Sequence, residues 1–220
     1  MSVVVVLPVK RFELAKRRLG DGGLRPSDRV ALATGMLTDV LETLKLASEV
    51  DDVVVVTREP NAEVLARTYG AQVIPDDEHA GHSEAARLGI EWAAREGAFQ
   101  VLVLAGDAPA VQAGEIDELL RGPSDGPEVV IVPDRHGSGT NALLLTPPGV
   151  ISPSFGEGSR ERHERLAREA GASVRIAEIG SLMLDVDTPE DLDALADALA
   201  DAPRRTAVYT RDALSRVQRA

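Results

Sequence analysis

Val3-Val4-Val5-Val6-Leu7-Pro8-Val9-Lys10 opens the chain with an apolar, mostly β-branched run that ends on a cation. A run without the polar alternation of a half-wet strand is what a parallel strand buried on both faces requires. Residues 53–57, 101–104 and 129–132 repeat the type. Between them the period changes. Pro26-Ser27-Asp28 starts a helix whose apolar positions Val30, Leu32, Ala33, Met36, Leu37, Val40, Leu41 and Leu44 return at helical spacing. Residues 60–69, 83–96, 159–170 and 189–199 read as further helices. Strands alternating with helices of this length predict an α/β fold with a largely parallel sheet covered on both faces. Ligands of such sheets gather beyond the carboxyl ends of the strands.

The 220 residues suffice for one sizeable core, and 44% hydrophobic content describes a globular domain. One domain over residues 1–200 is expected, followed by a tail, 201–220, that reads either as a short docking helix or as a frayed end. No stretch approaches the roughly 20 consecutive apolar residues of a membrane span, and the start lacks the basic leader of a secretory signal. The expectation is a cytoplasmic protein without a membrane partner. Zero cysteines exclude disulfides, thiol catalysis and thiolate metal sites. A net charge of −12 argues against general nucleic-acid binding, which draws its affinity from neutralising phosphates. Any anionic substrate therefore needs locally placed cations or a metal ion.

Those local groups fall where strands end. After the first strand come Lys10, Lys16 and Arg18, placed to balance a triphosphate, although a solvated basic loop explains the cluster about as well. No Walker motif and no G-x-G-x-x-G follows this strand, which sets aside P-loop NTPases and ordinary dinucleotide dehydrogenases. The run Val103-Leu104-Ala105-Gly106-Asp107-Ala108-Pro109 places a carboxylate just beyond a buried strand. Leu184-Asp185-Val186-Asp187-Thr188-Pro189-Glu190-Asp191 places two more before a helix, with Thr188, Pro189 and Asp191 suited to its N-cap, first and third positions. Magnesium takes few protein carboxylates and keeps substrate phosphates and water, so Asp107 and Asp187, with Asp185 beside them, are the candidate metal ligands. Asp134-Arg135-His136-Gly137-Ser138-Gly139-Thr140-Asn141 and Phe155-Gly156-Glu157-Gly158-Ser159-Arg160 concentrate small residues, hydroxyls and cations without apolar periodicity. They read as a phosphate-handling site built from backbone and hydroxyl donors.

Taken together, residues 134–141, the Phe155-Gly156-x-Gly158-Ser159 segment with Arg162-His163, and residues 184–192 resemble the guanylyltransferases that make the activated phospho-acid precursor of the deazaflavin coenzyme F-420. The resemblance runs in order over residues 1–200, with the central loop its specific part. It implies a Rossmann-like nucleotidyltransferase fold of the nucleotide-diphospho-sugar transferase type, a three-layer sandwich around a mostly parallel sheet. It also implies transfer of GMP from GTP to phosphoenolpyruvate or 2-phospho-L-lactate with release of pyrophosphate. By the same resemblance Asp107, Asp187 and Lys16 are the catalytic residues, the carboxylates holding Mg2+. Thr140, Gly156 and Ser159, with Gly139 and Asn141, would contact the three-carbon phospho-acid, and Lys10, Lys16, Arg18, Gly81 and Ser83 would lie along the GTP. An ionised phosphate needs no general base, which agrees with the lack of any Ser-His-Asp pattern. His136 and His163 read equally as phosphate donors or as loop-ordering residues.

Two positions depart from the family's pattern. Gly81-His82-Ser83 stands where relatives carry Gly-Leu-Asn, which loosens the inference to guanine, and Ala108 replaces a bulkier residue beside Asp107. Two other readings therefore stand beside the first: a cytidylyltransferase-like nucleotidyltransferase acting on a sugar phosphate or molybdopterin, and a non-catalytic nucleotide-binding relative. Three lysines against 21 arginines suggest GC-rich coding and favour a bacterial member, hence phosphoenolpyruvate. A homodimer, if present, is expected to use the tail after Asp201.

Overall fold

The computed structural model describes residues 2–13, 16–21, 23–76, 81–122 and 126–217. Strand β1 (Val3–Val9) lies inside the sheet and pairs in parallel on both sides, with β2 (Asp52–Thr57) and β4 (Gln100–Leu104). Beyond β2 lies β3 (Gln72–Pro75), also parallel. Beyond β4 lies β6 (Thr140–Thr146), which runs antiparallel to both β4 and β5 (Glu128–Pro133), and β7 (Ser173–Ile176) closes that edge in parallel with β5. The order is β3-β2-β1-β4-β6-β5-β7, a seven-stranded, mostly parallel sheet with one reversed strand. The four strands expected from their apolar runs are β1, β2, β4 and β5. The sequence reading had no place for β3, β6 and β7, and it treated Thr140 and Asn141 as loop, whereas they open β6.

The strands alternate between two cores. Val3, Val5, Leu7, Leu102, Leu104, Val130 and Leu144 face one layer, with Leu37, Leu41 and Leu44 of α2 (Pro26–Leu46), Ala62 of α3 (Pro60–Thr68) and Ile116 of α5 (Ala113–Leu120). Val4, Val6, Val101, Val103, Val129 and Leu145 face the other, with Ala86 and Ile90 of α4 (His82–Arg95) and Ala167 of α6 (Ser159–Glu169). A strand dry on both faces has no need to alternate polar residues, which is why β1 reads as valine after valine. At about 1.5–3 kcal/mol for each fully buried aliphatic side chain, these two layers supply the main drive to fold.

A third cluster joins Leu19 of α1 (Arg17–Asp21), Leu32 and Met36 of α2, Leu195 and Leu199 of α7 (Pro189–Asp201), and Leu214 of α8 (Val208–Val217). The tail thus contains a helix docked on its own chain. Buried Asp39 of α2 accepts hydrogen bonds from Tyr209 N (3.1 Å), Thr210 N (2.8 Å) and Thr210 Oγ1 (2.6 Å), a carboxylate at the positive end of α8. Gly35 lets the helices touch backbone to backbone, since a β-carbon there would lie 2.9 Å from the Tyr209 carbonyl oxygen. No helix among the described residues is long and apolar enough to cross a membrane.

Glycine also sets the approach of α4 to the sheet. A β-carbon on Gly89 would collide with Val6 Cγ1 and come within 3.2 Å of Val56 Cγ2, and both valines are fully buried and stiff. Gly89→Ala is expected to lose about 1–2 kcal/mol in urea unfolding, overpacking outweighing the helix propensity of alanine. Gly114→Ala, on α5 with open space around it, should instead be neutral or gain up to about 1 kcal/mol.

Candidate active site

The ends of β1, β4 and β5 and the beginning of the reversed β6 share one edge of the sheet, and a cleft of about 740 Å³ lies along it. The connection after β1 leads to β2 on one side, whereas the connection after β4 leads to β5 on the other, so the cleft at the ends of these two neighbouring strands sits at a topological switch point. Of the expected site residues, Lys10, Lys16, Arg18, Asp107, Gly139, Thr140, Asn141, Gly156, Ser159, Asp185 and Asp187 line it. Gly81 and Ser83 do not. His82 between them does, while the Ser83 hydroxyl accepts a hydrogen bond from Phe155 N (2.8 Å) and so holds the loop before α6. Gly81, at φ +99°, is the N-cap turn of α4, a backbone shape that suits glycine alone.

On one side of the cleft a single ammonium joins two carboxylates. Lys16 Nζ donates to Asp107 Oδ2 and, at 3.1 Å, to Asp187 Oδ1. Burial works to lower the Lys16 pKa, but Asp107 and then Asp187 outweigh it and hold the ammonium above its ordinary value. Lys16 also has left-handed backbone, φ +57°, a strained state for a side chain and of the kind found at functional sites. Asp185 lies beside this pair. Burial, then Asp107 and Asp187, push its carboxyl up to about 6, against the opposing pull of the Asn141 amide and Lys16. Asn141 Nδ2 donates to Asp185 Oδ1 (2.9 Å) and to the Leu182 carbonyl (3.0 Å), so its amide orients a carboxylate.

The helix cap expected after Asp187 is present, and it does more than start a helix. Asp191 Oδ2 accepts from Asp187 N (3.0 Å), Thr188 N (2.7 Å) and Thr188 Oγ1 (2.8 Å), fixing the backbone that carries Asp187. Arg135 Nε lies 2.6 Å from Asp191 Oδ1 but off the hydrogen-bond direction, so that contact is one of charge on charge.

On the other side lie the hydroxyls. A register shift between Val132 and Pro133 opposes Pro133 to Thr140 and leaves Asn141 as the extra residue of a bulge, so that Thr140 and Asn141 both reach the cleft instead of opposite faces. Asp134 Oδ1 accepts from Ser138 N (3.0 Å), and Gly139 passes so close to the Asp134 carboxylate that a β-carbon would strike it. Arg162 clamps the second loop, donating to Ser154 Oγ (3.1 Å), the Ser154 carbonyl (3.0 Å) and the Phe155 carbonyl (3.2 Å). Phe155 packs edge-on against His82 and His163, with ring centres 4.6 and 5.2 Å away. His136 is exposed, and His163 is fully buried and hydrogen-bonded to Ser154 N, a loop-ordering contact. Sequence reasoning missed the roles of Arg162, Phe155 and His82 at the cleft. Arg162 and Phe155 stood inside a recognised motif, but nothing in a linear motif shows which carbonyls a guanidinium will reach.

The chemistry of the cleft is that of paired anions needing countercharge. Lys10, Lys16 and Arg18 face five carboxylates, those of Asp107, Asp134, Glu157, Asp185 and Asp187. Among the described residues no three acidic or imidazole groups converge at metal-ligand spacing, but Asp107 and Asp187 already converge on one cation. Two oxygen ligands suit a magnesium ion that completes its shell with phosphates and water.

Residues 3–202 match the family described as guanylyl transferase CofC like. A phosphoenolpyruvate guanylyltransferase of Conexibacter woesei is 48% identical over 220 residues, covering 100% of this chain and 98% of that protein. A 3-phospho-D-glycerate guanylyltransferase of Phenylobacterium zucineum is 37% identical, covering 96% of each. Among solved structures, a protein of Desulfovibrio desulfuricans G20 described as a nucleotide-diphospho-sugar transferase superposes with a TM-score of 0.75 at 17% identity, covering 100% of this chain and 98% of that one. At that identity the likeness shows the fold alone. A match spanning 3–202 and a relative nearly half identical from end to end show the family as well: the chain belongs to the CofC-like guanylyl transferases.

Proposed function

We propose that the protein transfers GMP from GTP to a three-carbon phospho-acid, phosphoenolpyruvate before 2-phospho-L-lactate or 3-phospho-D-glycerate, with release of pyrophosphate. The observation that carries this reading is the presence, in one cleft, of the Lys16–Asp107–Asp187 cluster and the Thr140–Ser159 hydroxyl pair. Family membership and the name of the relative at 48% identity support the reaction and the order of acceptors. The product would serve coenzyme F-420 synthesis in the cytoplasm, where GTP is available.

In this reading a phosphate oxygen of the acceptor attacks the α-phosphorus of GTP, the bond to the β-phosphate oxygen breaks, and pyrophosphate leaves. The attacking oxygen is ionised at neutral pH, so the protein's task is to align two anions and offset their charge. Asp107 and Asp187 would hold Mg2+, which supplies a Lewis acid for the phosphates and a counterion that three side-chain cations against five carboxylates do not provide. Lys16 balances the carboxylates and stands within reach of the phosphates, with Lys10 and Arg18 along the same wall. Thr140, Ser159 and the Gly156 and Gly139 backbone face the acceptor, and Asn141 keeps Asp185 in place.

Pyrophosphate release measured with each NTP and each acceptor tests the reaction. Release is expected with GTP and phosphoenolpyruvate. No release with GTP under any three-carbon phospho-acid overturns the reading, and release with CTP and a sugar phosphate would replace it with the cytidylyltransferase alternative. The metal is tested separately: chelation should abolish turnover and Mg2+ restore it, and Asp107→Asn should lower kcat by about 100-fold, measured on protein whose circular dichroism shows it folded at the assay temperature. Full activity in Asp107→Asn would remove Asp107 from the metal site.

A further inference from the structure

His163 does not line the cleft, yet it bonds to a residue that does. Its ring is fully buried behind Thr140, with Nδ1 3.1 Å from Thr140 Oγ1 and Nε2 2.8 Å from Ser154 N. A backbone amide can only donate, so Nε2 must be bare. A neutral ring with a bare Nε2 carries its proton on Nδ1 and donates it to Thr140. Burial, and then the charge of Arg162, hold the His163 pKa down at about 4, so the ring is neutral at physiological pH.

The consequence follows from counting protons. Ser159 Oγ lies 3.2 Å from Thr140 Oγ1, and both residues line the cleft. Nδ1–H, the threonine hydroxyl and the serine hydroxyl hold three protons between them, and the two contacts within the group use two. One hydroxyl proton is left over, and the cleft is the direction open to it. With the opposite tautomer Thr140 would donate to Nδ1 and Ser159 to Thr140. The pair would then present only lone pairs to the cleft, which repel an anion. The same logic excludes Thr140 as a nucleophile activated by His163, because Nδ1 has no lone pair with which to take its proton.

We propose that His163 is a positioning residue that sets the polarity of the Thr140–Ser159 pair, so that one hydroxyl donates to the anionic acceptor. The assignment rests on the acceptor reading of this side of the cleft. What locks the tautomer is the loop: Arg162 holds the Ser154 and Phe155 carbonyls, and Gly156 at φ +108° and Gly158 at φ +66° shape the turn that delivers the Ser154 amide to Nε2.

Nitrogen-15 NMR of the wild-type protein reads the tautomer directly, and a neutral His163 with Nδ1 protonated is expected at pH 7. A proton on Nε2 overturns the proposal without any variant. Steady-state kinetics test the consequence. His163→Phe should raise the KM for the phospho-acid by about ten-fold or more, as for loss of a hydrogen bond to a charged group, and leave the KM for GTP unchanged. Thr140→Val should do the same, and the double variant should be no worse than Thr140→Val alone, because His163 acts through Thr140. Multiplying effects, or an equal rise in the KM for GTP, overturn the proposal while leaving the reaction in place. Wild-type protein that turns over no three-carbon phospho-acid overturns the acceptor reading and this assignment with it.

Discussion

The reversed strand β6, wedged between β4 and β5, is the constraint on which the site depends. In an all-parallel sheet the beginning of a strand lies at the edge opposite to its neighbours' ends. Reversing β6 brings Thr140 and Asn141 to the edge where β4 delivers Asp107, with Ala105 N bonded to the Asn141 carbonyl at 3.0 Å. The same reversal lets the short loop 134–139 join β5 to β6 directly, so the chain can bend over the cleft instead of crossing the sheet through a helix. Bulging at Asn141 then turns two successive side chains toward one space.

Charge determines what this edge can do. A chain with a net charge of −12 has no general field to draw in phosphates, and its cleft carries more carboxylates than cations. Phosphates at this edge therefore depend on short-range donors and on whatever offsets the carboxylates. The lysine between Asp107 and Asp187 already answers that demand in part, and the raised carboxyl of Asp185 marks what it leaves unbalanced. The wall of Thr140 and Ser159 carries two carboxylates of its own, Asp134 and Glu157, and no lysine or arginine that lines the cleft. It relies on hydroxyl protons and backbone amides, whose direction matters more than their number.

How much of this could be read from the sequence depended on burial and on separation along the chain. Strands β1, β2, β4 and β5 announced themselves because both faces are dry, whereas β3 and β7 are four-residue edge strands with little apolar signal. Strand β6 was hidden twice, by an apolar centre, Ala142 to Leu145, without β-branched residues, and by a polar start that reads as loop. Helix α5 begins at a Gln112–Glu115 capping box, an unusual variant of the signature. Most of the residues singled out in the sequence line the one cleft, and they were legible because charged and small polar residues stand out just after apolar strands. Their partners were not. That Asn141 would bind Asp185, or that His82 rather than Gly81 or Ser83 would reach the cleft, is decided by a bulge and a helix cap that no periodicity encodes.

Asp191 shows why folding and function cannot be separated in such a site. As the third residue of α7 it satisfies the amides that every helix start leaves unpaired, a contribution of about 1 kcal/mol in most proteins. Burial works against its charge, but the Thr188 hydroxyl, the Thr188 and Asp187 amides and Arg135 together hold the carboxyl below the usual range. One of those amides belongs to Asp187, and Arg135 belongs to the loop before Thr140. A single buried carboxylate thus ties the segment that carries Asp187 to the segment that leads into Thr140. Moving Asp187 away from the cleft would break this cap, and moving Arg135 would cost the cap its countercharge, so part of the rigidity needed to align two anionic substrates comes from interactions the helix requires in any case.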